Sequence, residues 1–384
     1  MSVEGRVAGA ETSLLLLVRR LQSRYHVQVA CPREGSLRQR LAAVNGRPIP
    51  LSGPVLRLGR SWGGLVNLAR LNWRVWRVSR SACYDIIHAN NLHAALCCLL
   101  ATGLGKAKLI WHARDFANSA LASRICGRLA ERVIAVSTSV RDRLLEQGVD
   151  AARVLVVHNG VETRCEDPIR IHEQTTGAQS AGQSDPIVFA NVGRFVPWKN
   201  QAHFLRAAAH VNRVLPSAQY WLVGTSVTGK PTRYVQRLQA LAAGLGIANR
   251  VRLIGWREDM GSLWSQITCL VHTARREPFG RVIIEAMAHG IPVIAVNACG
   301  PAEILADGSA GLLIAPERLE ELVDAMCRIA TDPRLARDTA SAGRRKVAAC
   351  FTADRTADAV DELYAKVVSP PPTARVGLSR ESCN

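Results

Sequence analysis

Short, almost continuous apolar runs recur along this chain, each separated from the next by a longer stretch of helical periodicity. They fall at 26–31, 85–88, 109–112, 132–136 and 154–157, and again at 187–192, 219–223, 251–254, 269–273, 292–296 and 312–314. A strand that is apolar at successive positions is buried on both faces. Sheets covered on both faces are parallel, because their crossover helices do the covering. Helices are expected at 200–214, 232–245, 281–289, 317–330 and 333–349. At 384 residues the chain exceeds what one hydrophobic core usually supports. The pattern therefore predicts an α/β protein of two doubly wound domains, at 1–163 and 186–350. Residues 164–185, which include TTGAQSAGQSD, have the composition of a linker, and the tail at 369–384 has that of a disordered segment.

A hydrophobic content of 48% excludes a disordered chain. The longest apolar runs, such as 13–18 and 133–136, fall far short of the roughly 20 residues that span a bilayer, and no charged-then-apolar signal opens the chain. A cytoplasmic protein is expected. Eleven cysteines form no CxxC pair and no Cys/His metal spacing, and their odd number fits reduced, buried thiols.

In doubly wound sheets ligands bind at the C-terminal ends of strands, and two such ends carry charge. After the strand at 187–192 come Gly193, Arg194 and, five residues on, Lys199, an Arg fork and a Lys point charge suited to the roughly two negative charges of a nucleoside diphosphate. After the strand at 269–273, the segment EPFGRVIIE places Glu277 in a loop and Glu285 about one turn inside a helix. Pro278, Phe279 and Gly280 make the turn, and the N–H groups of Phe279, Gly280, Arg281 and Val282 would face a phosphate at the helix start. Glu285 can accept hydrogen bonds from two neighbouring ribose hydroxyls. In the first half, Gly9 precedes a helix and would let backbone amides approach a phosphate or sugar, although a simple helix start explains it equally well. His112 ends a strand and is either a cleft residue or a structural histidine; His88 and His93 lack partners at ligand spacing and read as structural.

The order GRF…WKN, LIGWRED, EPFGRVIIEAMAHGIPVIA, GPAEIL and DGSAGLL resembles the retaining glycosyltransferases of family 4 (glycosyl transferases group 1), over roughly 9–366 and most strongly over 191–316. The resemblance implies two Rossmann-like domains facing across a cleft (the GT-B fold), with a C-terminal helix at 351–368 crossing back to the first domain. It implies a nucleotide-activated sugar donor, UDP- or GDP-linked, and a glycan or lipid-linked acceptor. Arg194 and Lys199 would then bind the diphosphate, Glu285 the ribose and Glu277 the sugar hydroxyls. The loop of Gly255, Trp256 and Arg257 would lie near the base, Gly9 would face donor and acceptor, and His112 would stand near the reacting centre. The chain has no D-x-D triplet, so no metal and no cofactor beyond the donor is expected. Alternatives on this fold are a nucleotide-sugar epimerase, a glycan phosphorylase or a non-catalytic sugar-nucleotide-binding protein. Two departures stand out. His158 replaces the proline the family usually places before Asn159-Gly160, and MSVEGRVA lacks the apolar first strand that leads into the glycine loop. The latter predicts a first domain that is truncated or begins unusually.

Charge is uneven. Residues 1–165 hold 24 Lys+Arg against 10 Asp+Glu, or +14 of the chain's +18, and no acidic residue occurs between Glu34 and Asp85. Within 57–80, Arg70, Arg74 and Arg77 share one helical face, while Trp62, Leu65, Val66, Ala69, Trp73 and Trp76 run along another. That pattern suits a helix lying in an anionic membrane surface, and equally a packed helix with a solvated basic face. No nucleic-acid-binding signature accompanies the charge.

Overall fold

The structure is a computed structural model that describes residues 1–5, 7–51, 62–163, 186–225, 232–255, 257 and 260–368. The expected linker at 164–185, the tail at 369–384, Trp256, the 57–61 part of the Arg/Trp-rich segment and the side chain of Trp62 lie outside the described residues.

The first half carries parallel strands β1 (Gln28–Pro32), β2 (Arg47–Leu51), β3 (Ile86–Ala89), β4 (Lys108–Ala113), β5 (Ala130–Ala135) and β6 (Val154–Val156). β2 pairs with β1, and β3, β4, β5 and β6 form a separate row in that order. β2 was not expected from the sequence. Its run RPIPL contains two prolines, which donate nothing to a ladder, and it pairs on one side only, where proline is tolerated.

Between β1 and β3 lies the place of the first strand. Residues 1–3 form no regular strand, yet they fill this place: Ser2 N–H donates to Ala30 O at 3.0 Å, Met1 O accepts from Asn90 N–H at 3.0 Å, and the Met1 amino group donates to His88 O. Met1, Ser2 and Val3 are buried. The apolar first strand is absent, as expected, but these bonds take over its pairing, so of the two expected outcomes the domain begins unusually and is not open between β1 and β3. The bonds are made by backbone groups, which any residue carries, so a run of β-formers is not required. The chain then turns into the helix Gly9–Leu21.

The second half carries β7 (Val188–Val192), β8 (Gln219–Val223), β9 (Val251–Ile254), β10 (Cys269–His272), β11 (Val293–Val296) and β12 (Leu312–Ile314). They form one parallel sheet in the order β12-β11-β10-β7-β8-β9. The central strands coincide with apolar runs because both their faces are covered, Phe189, Tyr220, Leu222, Val271 and Ile294 in one core and Ala190, Trp221, Leu270 and Val293 in another, whereas β9 is only partly buried, with Arg252 and Leu253 exposed. Strand order reverses between β7 and β10. In a doubly wound sheet the crevice opens at such a reversal, and the segments after these two strands hold Arg194, Lys199 and Glu277. In the first half the reversal lies at residues 1–3, just before Gly9.

At Phe351 and Thr352 the chain crosses from one half to the other. Val161 N–H donates to Phe351 O and Ala353 N–H to Val161 O, both at 2.9 Å. The helix Ala353–Val368 then packs Ala357, Val360 and Leu363 with Leu17 and Leu21 of the first helix, over Ile110 and Ile134.

Candidate active site

Buried side chains tie the ends of β7 and β10 together. Asn191 donates to Val271 O at 2.7 Å and to Thr273 Oγ1 at 3.1 Å; the Thr273 hydroxyl lies 3.1 Å from Lys199 O and 3.0 Å from Asn200 O. Arg275 N–H donates to Trp198 O at 3.0 Å. Gly193 leaves β7 at φ 154°, and a Cβ there would stand 3.5 Å from Lys199 Cε. The turn Pro197–Lys199 is thereby set against the loop after β10.

The result is a compact charged cluster. Lys199 Nζ pairs with Glu277 Oε2, which also lies 3.2 Å from His272 Nε2, and Lys199 Nζ sits 4.6 Å from the centre of the Trp198 ring. The Lys199 and Glu277 side chains are only 12% and 11% exposed, so water screens the pair little. Burial pushes the Glu277 carboxyl up, but the Lys199 ammonium and the His272 bond outweigh it and hold it at about 2. His272 is lowered by burial against the pull of Glu277, and a neutral ring donates Nε2–H to the carboxylate. Arg194 is exposed at the same strand end and has no hydrogen bond or ion pair to its guanidinium among the described residues.

Gly280 caps the helix Arg281–Ala288 at φ 104°, where a Cβ would also meet Ile283 Cδ1 at 3.0 Å, so glycine is needed for both reasons. No backbone bond among the described residues uses the N–H groups of Phe279, Gly280, Arg281 or Val282, which leaves donors free at the positive end of the helix. The Phe279 side chain does not face this site. It is buried between His158, at 5.8 Å between ring centres, and Phe351, at 5.9 Å, so only its backbone N–H is left for the donor-binding part expected of it. Arg281 Nη2 holds Glu285 at 2.8 Å, while Nη1 reaches across to Ser13 Oγ at 2.7 Å and Gly160 O at 3.2 Å. A Cβ on Gly9 would come within 3.3 Å of Arg281 Cδ, so the two helix starts confront each other. Arg257 is exposed beyond β9.

His112 is fully enclosed in β4. Its Nδ1 lies 3.2 Å from His88 Nε2 and 3.3 Å from Arg114 Nη2. Arginine only donates, so Nδ1 is the unprotonated nitrogen and the proton rests on Nε2, which is buried and has no hydrogen-bond partner among the described residues. Burial, and then Arg114, lower His112 well below the usual histidine range, which keeps it neutral. His88 is anchored by Tyr364 Oη at 2.7 Å.

Several residues of this cleft carried no sequence signal. Arg114 is buried, with Nε 2.6 Å from Asn90 Oδ1 and Nη1 2.6 Å from Asn159 Oδ1; burial lowers it to about 9. Asp115 shares the electrostatic neighbourhood of Arg194, Glu277 and Lys199. Glu11, buried and bonded to Ser2 at 3.2 Å, is raised by burial to about 7. Across the halves, Ser137 Oγ donates to Pro278 O at 2.6 Å. Thr138 binds Glu303 through N–H at 2.8 Å and Oγ1 at 2.9 Å, and His158 Nε2 lies 2.6 Å from Glu303 Oε1. Burial raises Glu303, but the bonds from His158 and Thr138 outweigh it and leave the carboxyl lowered. The substitution of His158 for proline was visible in sequence; its partner was not.

Two family models together cover most of the chain: glycosyltransferase family 4 at 7–164 and glycosyl transferases group 1 at 173–346. A lipopolysaccharide core biosynthesis glycosyltransferase, LpsE, of Rhizobium meliloti (strain 1021) is 30% identical over 182 residues, 47% of this chain and 51% of that protein. An alpha-maltose-1-phosphate synthase of Mycolicibacterium smegmatis is 32% identical over 261 residues, 65% of this chain and 66% of that protein. The chain thus spans about half to two thirds of the length of these relatives. Among solved structures, Anabaena Alr3699/HepE in complex with UDP-glucose is 25% identical, covering 94% of this chain and 97% of that one with a TM-score of 0.78. With parallel sheets in both halves, side chains joining the two, and family models matching each half in turn, the chain belongs to the group 1, family 4 glycosyltransferases of GT-B fold.

Proposed function

We propose that this protein transfers a sugar from a nucleotide-sugar, UDP- or GDP-linked, to a glycan or lipid-linked acceptor at a membrane face, with retention of anomeric configuration. The observation that carries the reading is the buried Lys199–Glu277–His272 cluster beside the unpaired N–H groups of the helix starting at Arg281. Breaking an anomeric C–O bond loads negative charge onto the departing diphosphate, and cations and N–H dipoles already fixed in place stabilise it without reorganising. Lys199 and Arg194 would take the diphosphate together with the N–H groups of Gly280 and Arg281. Glu277, held ionised by its neighbours, would accept hydrogen bonds from donor-sugar hydroxyls, and Glu285 from the ribose. His112, neutral with a free Nε2–H, is a donor rather than a base in this cleft. The acceptor hydroxyl attacks on the face the diphosphate leaves, its oxygen bonding the anomeric carbon as the old C–O bond breaks and its proton passing to a departing phosphate oxygen, which gives retention. The reading assigns no metal, because Lys199, Arg194 and the helix start supply the positive charge. The complex of Alr3699/HepE with UDP-glucose favours UDP over GDP.

The test is a screen of UDP- and GDP-sugars with candidate acceptors, following free nucleoside diphosphate and the anomeric coupling of the product by NMR. Diphosphate release that requires acceptor, with unchanged anomeric configuration, is expected. Release without acceptor, conversion of the donor sugar alone, or an inverted product would overturn the proposal.

A further inference from the structure

The helix Trp62–Ala82 has two apolar stripes, and only one of them faces the core. Leu71, Asn72, Val75 and Ser79 are buried. Leu65, Val66, Ala69 and Trp73 lie roughly a third of a turn away and face solvent, with Leu65 59% and Trp73 50% exposed. The neighbouring helices Leu99–Gly103 and Ala120–Leu129 pack alongside in sequence, and they repeat the feature. Leu100 on one and Leu104 just past its end are exposed, and so are Leu121, Ile125 and Leu129, at i, i+4 and i+8, on the other. Among the described residues, Val214, Leu253 and Val368 are the only large apolar side chains exposed elsewhere. Soluble surfaces seldom gather apolar groups in this way without a partner.

The charge of this face indicates the partner. The three helices contain no Asp or Glu. Arg70, Arg74, Arg77, Arg80, Arg124 and Arg128 lie among their exposed residues, and none pairs with a carboxylate among the described residues. Arg77 lies over the Trp73 ring at 4.9 Å and Arg80 over Trp76 at 5.5 Å, which holds cation and aromatic side by side as at a headgroup boundary. No helix among the described residues is long and apolar enough to cross a membrane.

We infer that the outer face of these three helices is a docking surface for an anionic lipid bilayer, with Leu65, Trp73, Leu104 and Leu121 entering the interface and the arginines meeting headgroup phosphates. Its purpose rests on the proposed function, since it would bring the cleft to a lipid-linked acceptor; the binding itself is independent of that reading. Bare phosphate, a nucleic acid or a second copy of the chain would each leave part of the face unexplained, because a phosphate needs no exposed leucines and a self-contact would set like charges together.

The experiment is flotation of the full chain with vesicles of phosphatidylcholine alone and of phosphatidylcholine with phosphatidylglycerol, beside a UDP-binding measurement on the same samples. Binding to the anionic vesicles only, weakened by salt, is expected. The triple variant Arg70→Gln, Arg74→Gln, Arg77→Gln should reduce it roughly 100-fold. Trp73→Ser with Leu121→Ser should reduce it at least about tenfold, with thermal melting and UDP binding unchanged in both. The inference is overturned if the chain floats with neither vesicle, if the variants float like the parent, or if gel filtration shows a dimer that the variants dissolve. Vesicle binding with no binding of UDP or, in a parallel measurement, of GDP would leave the docking surface standing and remove the transferase reading instead.

Discussion

Replacing Lys199 with methionine removes one partner of a buried ion pair and leaves the other in place, so its cost falls on the fold as well as on the ligand. In the structure Glu277 is buried and its carboxyl is held at about 2 against an ordinary 4.5. That depression corresponds to roughly 3 kcal/mol of folding stability, the same order as the 3–5 kcal/mol seen when one member of a buried pair is deleted. The sign follows from the direction of the shift. A carboxyl whose folded pKa is depressed contributes its full stability above its unfolded pKa and loses it as pH falls from about 4.5 toward about 2. Lys199→Met should therefore lower the melting temperature of the second domain by roughly 6 to 12 °C at pH 7. The deficit should shrink as pH drops through the window in which Glu277 takes up a proton. Lys199→Met with Glu277→Gln should recover most of the loss, because no buried charge is left unpaired, while transfer remains abolished. Calorimetry or circular dichroism melts of the three proteins at pH 7 and pH 3 give the answer. A Lys199→Met variant that melts with wild type at pH 7, or a double variant no more stable than the single one, would refute the pairing argument.

Arg194→Ala removes an exposed guanidinium that makes no hydrogen bond or ion pair among the described residues, so nucleoside diphosphate affinity should fall about 10- to 150-fold with melting little changed; titration calorimetry and a melt check both halves. Glu277→Gln should lose turnover more than nucleotide affinity, and Glu285→Gln the reverse, measured below the melting temperature of each variant because Glu277→Gln also breaks the buried pair with Lys199; equal effects on nucleotide affinity would remove the division of roles. Glu303→Gln weakens the contacts to Thr138 and His158 that join the two halves, and because the Glu303 carboxyl is lowered, the wild-type contact should loosen as pH falls through the carboxylate range. Limited proteolysis and small-angle scattering should show a more open, more readily cleaved molecule, and no change in either would sink the assignment. Hydrogen exchange should find amides of β4 and β5 protected like those of β7, since Ile110, Trp111, Val133 and Ile134 are wholly buried, and Asn90 N–H protected by its bond to Met1 O; rapid exchange at these amides would show that residues 1–3 do not seal the gap between β1 and β3.

The sequence alone determined the alternation of strands and helices and, through it, which segments end at a cleft. Apolar runs such as 188–192 and 269–272 are visible because burial on both faces demands uninterrupted hydrophobic side chains, a local requirement. Gly193, Arg194, Lys199, Gly280 and Glu277 follow those runs directly, so their place at strand ends was legible too. β2 was not, because its prolines hide a strand whose one partner among the described residues is β1. Tertiary structure decided everything that joins residues distant along the chain. It paired Lys199 and His272 on one oxygen of Glu277 and carried Arg281 to Ser13. It matched His158 with Glu303, separated by 145 residues, and let residues 1–3 bond both β1 and β3 through backbone groups that no side-chain pattern reports. It also decided which stripe of the helix at 62–82 meets the core. Helical periodicity states that Trp73 and Leu65 share a face, but only the packing of neighbouring helices determines whether that face is buried or turned outward.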